Sequence, residues 1–265
     1  MAKVLTISSH VVRGHVGLGA TVPALQHLGH EVWPLPTVVL ASRPGLGRLA
    51  KHELPHEELA AMLAALEADG CWASLGAVLT GYFPSATAVS VVARAIATIK
   101  VARPELVVLI DPVVGDAGRL YVTEPTAQAI RDQLLPLATI ATPNLFELSW
   151  LTGSDVRCPA EVTVSARQLG PPTVVVTSAR LTAGSVATLL VSKDRQIEQE
   201  TRKRHQVPNG AGDLFAGLFL GHWLNAASAS EAALTGSLVD LDRVLAASAG
   251  RDVLKLAALD GEAAA

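Results

Sequence analysis

Along the chain, short apolar runs alternate with longer amphipathic stretches. Residues 106–110 (Leu-Val-Val-Leu-Ile) are apolar without alternation, the pattern of a strand covered on both faces and therefore of a parallel sheet. Residues 76–80 (Gly-Ala-Val-Leu-Thr) and 173–177 (Thr-Val-Val-Val-Thr) read as buried strands, 139–141 as a short one, and 3–8 (Lys-Val-Leu-Thr-Ile-Ser) as the first, ending at Ser9-His10 and a glycine-punctuated turn over 13–17. Helices are predicted over 18–28 with Gly29 as the stop, from Pro55 to 68, over 86–102, from Thr123 to about 135, after Thr142 to Gly153, and over 211–225 and 230–248. Pro34 and Pro36 exclude a central strand for 30–36, which is expected at a sheet edge or in a flap. Residues 184–192 and 197–206 read as an antiparallel pair, and 256–265 as a fraying tail. No repeat or linker divides the chain, so 1–265 is expected to be one domain.

With 265 residues, half of them hydrophobic, the chain can bury a substantial core, and its net charge of −3 leaves no basic footprint for nucleic acid. Gly81-Tyr82-Phe83-Pro84-Ser85 breaks the longest uncharged stretch, 71–93, so no membrane span is expected. The N-terminus lacks a signal-peptide pattern, which points to the cytoplasm. Two cysteines, Cys71 and Cys158, make neither a disulfide framework nor metal-ligand spacing. Two motif-like strings are discounted. Gly45-Leu46-Gly47-Arg48-Leu49-Ala50 has no strand leading into it. His52-Glu53-Leu54-Pro55-His56 needs one continuous helical turn to place both histidines together, and Pro55 breaks it.

The chemistry gathers where predicted strands end. Pro208-Asn209-Gly210-Ala211-Gly212-Asp213 opens an apolar helix, and small residues at a helix N-terminus allow an anion to approach the unpaired N–H groups. Asp213 reads in two ways there: as a helix cap, or as the base for a hydroxyl that attacks a phosphate. Asp111 and Asp116 follow the strand at 106–110; paired acids at that edge suit Mg²⁺ beside phosphates, while a backbone-bonding turn is the other reading. Ser9, Thr142, Asn144, Glu147, Thr177 and Ser178 stand at further strand ends or helix entrances.

Five segments occur in order: Ser-His-Val-Val-Arg-Gly-His-Val-Gly (9–17), Leu-Thr-Gly-Tyr (79–82), Asp-Pro-Val-Val-Gly-Asp (111–116), Thr-Pro-Asn-Leu-Phe-Glu-Leu (142–148) and Gly-Ala-Gly-Asp (210–213). Together they resemble the pyridoxal kinases of the ribokinase-like superfamily, over nearly the whole chain. The resemblance implies an α/β three-layer sandwich: a mostly parallel central sheet, helices on both faces and a small edge flap. It also implies transfer of the ATP γ-phosphate to the 5′-hydroxyl of a B6 vitamer, with Mg²⁺, often a monovalent cation such as K⁺, and a homodimeric assembly. On this analogy Asp213 is the base and Gly210, Ala211 and Gly212 form the anion hole. Ser9 and Tyr82 bind the vitamer. Asp111, Asp116 and Glu147 organise metal and phosphates directly or through water, and Asp111, Thr142, Glu147, Thr177 and Ser178 serve ATP. Three positions depart from the family pattern: Pro44 replaces a substrate-loop hydroxyl, Ala211 stands where Thr is common, and Asn209 replaces an acidic or apolar residue. A hydroxymethylpyrimidine kinase and a weakly catalytic B6-binding or regulatory protein are the alternatives.

Overall fold

The computed structural model describes residues 1–261 except 44, 47, 49, 157 and 227–229. Within these, the main sheet is built from β1 (Lys3–Arg13), β2 (Glu31–Ser42), β3 (Lys51–Glu53), β4 (Leu75–Thr80), β5 (Val107–Ile110), β8 (Ile140–Ala141), β9 (Thr173–Leu181), β10 (Ser185–Ser192) and β11 (Gln196–Arg202). Their order is β11-β10-β9-β8-β5-β4-β1-β2-β3. The six strands from β2 to β9 run parallel, with antiparallel additions at both ends. Two further strands, β6 (Gly115–Asp116) and β7 (Arg119–Leu120), form a separate hairpin. The helices are α1 (Leu18–His27), α2 (His56–Ala68), α3 (Ala86–Ala102), α4 (Glu124–Ala129), α5 (Leu145–Thr152), α6 (Pro159–Gln168), α7 (Ala211–Asn225) and α8 (Ser230–Ser248).

The apolar runs lack alternation because both sheet faces are covered. On β5, Val108 and Ile110 pack with α2, α3 and α4, whereas Leu109 packs with Phe215 and Phe219 of α7 and Leu234 of α8. On β9, Val174 and Val176 face α5 and α6 while Val175 faces α7. The result is the expected three-layer α/β sandwich. Helix α3 shows the local logic: Ser85 Oγ accepts from the Ala88 N–H to cap it, and Val89, Val92, Ile96 and Ile99 fall on its buried face. Each such buried side chain contributes about 1.5–3 kcal/mol of transfer free energy.

Several boundaries differ from the sequence reading. β1 continues past Ser8 to Arg13, because its last residues pair with β2 beyond a register shift at Ser8/Ser9. Pro34 and Pro36 lie in β2, a full sheet strand, but β3 pairs only with Val38–Leu40, so no ladder on the outer side needs their missing N–H groups. The helix expected to about 135 changes pitch after Ala129 into a π turn (Ile130–Leu134) and a 3-10 turn (Leu135–Leu137). α6 and the β6–β7 hairpin were not foreseen. Fraying was expected from 256, but Leu256–Asp260 is a 3-10 turn with Ala258 and Leu259 buried, and 262–265 lie outside the described residues. The zinc-protease-like string is split between β3 and α2, and Gly47 and Leu49 of the other string, like Pro44, lie outside the described residues. No helix among the described residues is long and apolar enough to cross a membrane.

Candidate active site

β1 leads to β2 on one side, and β4 then enters on the other, so strand order reverses at β1. The carboxyl ends of strands beside such a switch point are where open α/β sheets bind ligands. Ser9 (β1), Gly81-Tyr82 (after β4), Asp111 (after β5), Thr142 (after β8) and Thr177-Ser178 (β9) all sit along that edge. The first turn of α7 brings Asp213 to it, where the Gly17 N–H, in the turn after β1, faces the Asp213 carboxyl closely enough to favour its charged form.

Gly210 caps α7 with φ 106°, a left-handed conformation that favours glycine, and a Cβ there would overlap the His15 carbonyl oxygen. Gly212 differs. A Cβ on it would meet nothing within 4 Å, so its Cα faces open space beside the first N–H groups of α7. Asp213 is half-buried, enclosed by protein on most sides with an edge reachable by water. Burial pushes its carboxyl up to about 6, against the pull of the Gly17 N–H and its own N–H.

Asp111 is buried and accepts from Thr142 Oγ1 at 2.9 Å. Burial first, then the negative charge of Asp213, pushes it up to about 8. Glu147 is buried too. Its Oε1 accepts from the Val114 and Gly115 N–H groups at 3.0 and 3.4 Å, and its Oε2 from the Asn144 N–H at 2.9 Å. Burial and the Asp111 charge still raise it well above the usual carboxylate range. Among the described residues, no positive charge acts on these three acids. Buried oxygen donors lacking a cationic partner fit a hard cation such as Mg²⁺ in their chemistry. No group of three or more His, Cys, Asp or Glu placed to hold a metal by side chains alone occurs among the described residues.

Asp116 is exposed at the end of β6, and its Oδ1 accepts from the Ala117 N–H at 2.7 Å. Ala117 and Gly118 both have positive φ, the type I′ geometry of a two-residue hairpin, so Asp116 closes a turn rather than joining the Asp111–Glu147 pair by a hydrogen bond. Thr177 donates its N–H to the Pro143 carbonyl, and Ser178, with φ 53°, sits in a β9 bulge opposite β10. Tyr82 is half-buried; burial raises its phenol, with smaller opposing influences from the charges of Lys51 and Glu53 on β3.

Three supporting groups escaped the sequence reading, and a fourth, Asn144, was read only as standing at a helix entrance. Asn144 forms a capping box with Glu147, and its Nδ2 donates to the Gly115 carbonyl at 2.9 Å, holding the hairpin on α5. Thr37 Oγ1 donates to the Tyr82 carbonyl at 2.8 Å. Gly17 and His15 touch the start of α7. Only the glycine spacing of the 9–17 segment hinted at the last two.

The pattern of the phosphomethylpyrimidine kinase family matches residues 14–237. A protein named pyridoxal kinase PdxY from Corynebacterium diphtheriae is 35% identical over 237 residues, spanning 87% of this chain and 84% of that protein. The chain belongs to the pyridoxal kinases of this family. The Arabidopsis thaliana pyridoxal kinase is 34% identical over 84% of this chain and 74% of its own length. Among solved structures, the Leishmania donovani pyridoxal kinase in complex with ADP and pyridoxamine superposes with a TM-score of 0.90 at 29% identity, covering 97% of this chain and 94% of that one. The Entamoeba histolytica pyridoxal kinase, at 24% identity and a TM-score of 0.90 over 97% and 93% of the two chains, shares the fold.

Proposed function

We propose that the chain is a pyridoxal kinase, one kinase domain over 1–265, transferring the γ-phosphate of ATP to the 5′-hydroxyl of a B6 vitamer. The observation that carries the reading is Asp213: a carboxyl raised to about 6, held by the Gly17 N–H, beside the open Cα of Gly212 at a helix N-terminus. A carboxylate titrating near neutrality can take a proton from an alcohol as it attacks. The hydroxyl oxygen forms a bond to the γ-phosphorus, the bond from that phosphorus to the β,γ-bridging oxygen breaks, ADP leaves, and the hydroxyl proton passes to Asp213. The N–H groups at Gly210, Ala211 and Gly212 meet the charge that develops on the transferring group.

Ser9 and Tyr82 bind the ring in this reading, with Thr37 fixing the Tyr82 backbone. Thr142 orients Asp111 and, with Thr177 and Ser178, faces the ATP phosphates. Asp111 and Glu147, with Asp116 through water, would hold Mg²⁺, which neutralises phosphate charge when bound. A monovalent cation, a homodimeric assembly and a cytoplasmic location complete the proposal on the strength of the family resemblance. Relatives named pyridoxine/pyridoxal/pyridoxamine kinase, 38% identical over 236 residues in Bordetella avium, support a vitamer substrate over a pyrimidine alcohol.

The test is purified protein with Mg-ATP and a panel of pyridoxal, pyridoxine, pyridoxamine and hydroxymethylpyrimidine, with phosphorylated products separated and weighed. Vitamer 5′-phosphates as the fastest products support the reading. Preferential phosphorylation of the pyrimidine, or binding of vitamers without turnover, overturns it.

A further inference from the structure

The turn between β1 and α1 touches both halves of the site, and one side chain anchors it. Gly17 lies against Ser9, since a Cβ on Gly17 would fall 2.5 Å from the Ser9 Oγ, and Gly17 bridges to His10. On its other side the Gly17 N–H faces the Asp213 carboxyl and favours its charged form. Two residues earlier, the His15 carbonyl oxygen sits where a Cβ of Gly210 would be, so the cap of α7 rests on the His15 backbone. The His15 ring has a partner of its own, on a residue whose side chain also lies against Gly210. Its Nδ1 lies 2.7 Å from the Leu254 carbonyl oxygen; a carbonyl can only accept, so Nδ1 carries the proton.

Leu254 is a fixed point. Its side chain is buried among Leu214, Leu218 and Val244, and the next N–H, of Lys255, donates to the buried Ser248 Oγ at 2.9 Å. Along the sequence, His15 and Leu254 are 239 residues apart. We propose that His15 is a positioning residue for phosphoryl transfer: its ring ties the 14–17 turn to the C-terminal segment, which keeps the Gly17 N–H on Asp213 and the His15 carbonyl against Gly210. The base and the anion hole then hold one fixed relation to Ser9 at the ring-binding end of β1. His15 itself touches no reacting atom. The inference rests on the kinase reading for its catalytic consequence and on geometry alone for the tether.

His15→Phe keeps a ring and removes the donor, whereas His15→Asn places an amide N–H near the position of Nδ1. In the intact chain, His15→Phe is expected to lower kcat about 10–100-fold, the scale of a small misplacement of catalytic groups, with KM for pyridoxal and ATP within about threefold. His15→Asn should return kcat to within about threefold of wild type. Hydrogen exchange provides a readout independent of activity: the Leu214 N–H, bonded to the Gly210 carbonyl at 2.9 Å, should exchange faster in His15→Phe and at the wild-type rate in His15→Asn. Wild-type kcat in His15→Phe overturns the positioning role, as does an equal loss in both variants. Unchanged exchange overturns the tether. If the wild-type protein phosphorylates no vitamer, the kinase reading fails, and the exchange comparison still decides the tether.

Discussion

The two ends of α7 put carboxyls in opposite circumstances. At the first turn, Asp213 is enclosed with no positive charge acting on it, and burial raises its pKa to about 6. Toward the other end, Asp240 of α8 lies beside His222 of α7 and is also buried. There, burial pushes up, but the 2.8 Å hydrogen bond from His222 Nε2 and the charges of His222 and Arg243 more than reverse it, leaving Asp240 below the usual range. One acid is compensated and the other is not. Compensation marks a group that holds helices together, while an uncompensated acid at a strand edge costs the fold stability and is available for chemistry.

Exchanging acid for amide or methyl at each end tests this contrast. The largest effect is expected for Asp213→Asn, which keeps the size of the side chain but cannot accept a proton at neutral pH: kcat for pyridoxal phosphorylation should fall about 10²–10⁴-fold with little change in KM. Gly210, not Asp213, is the N-cap of α7, so single-turnover phosphorylation beside thermal unfolding decides the base role, and an unaltered rate would leave Asp213 a first-turn acid without a part in catalysis. Next is Gly212→Val. Because a Cβ at Gly212 meets nothing within 4 Å, the fold should accept it, and a kcat loss of about 10²–10³-fold would report a blocked anion, whereas Ala211→Thr, retaining the main-chain donor, should keep activity. An active Gly212→Val enzyme would put the phosphate elsewhere.

At the compensated end, Asp240→Ala leaves the His222 ring without its carboxylate partner, while Arg243 keeps the Leu259 carbonyl and its exposure to water, and should cost about 1–3 kcal/mol of stability, lowering Tm by roughly 2–12 °C. The kcat of the folded fraction should stay within about twofold. A rate loss as deep as that of Asp213→Asn, with Tm unmoved, would erase the distinction.

The same contrast shows what the sequence could carry. Asp213, Asp111 and Glu147 were legible as candidates because each stands at a glycine, proline or asparagine punctuation beside an apolar run, before it for Asp213 and after it for the other two, a local signal. The central layers were legible for the same reason, and 86–102 and 230–248 appear as α3 and α8 with the boundaries read from sequence. What pairs with what was not. Gly17 meets Asp213 across 196 positions of sequence, and Asp240 meets His222 only because α7 and α8 pack together. Asp116 gave a local signal that pointed two ways, and the positive φ of Ala117 and Gly118 shows its carboxyl in a hairpin turn. α6 escaped notice because its residues are mostly polar and small, with few large apolar side chains to mark a buried face, and β1 ran on past Ser8 because pairing with β2 outweighed its polar residues.

The pH dependence of kcat/KM tests the central claim most directly, with unfolding followed at each pH. An acid raised to about 6 in the free folded protein must lose its proton to act as base, so kcat/KM should fall as pH drops through about 6. Stability follows other signs. The raised pKa of Asp213 makes the fold more stable as pH falls toward 3.8, and the lowered pKa of Asp240 withdraws stability only below 3.8. His30, buried between the Ala2 N–H and the Gly221 carbonyl and lowered by burial, withdraws stability as pH falls below 6.5, which the unfolding curves register separately. The account predicts a falling limb of kcat/KM near pH 6 in wild type, measured on folded protein, that Asp240→Ala leaves in place; a kcat/KM flat from pH 5 to about 7, or a limb that moves with Asp240, would contradict it.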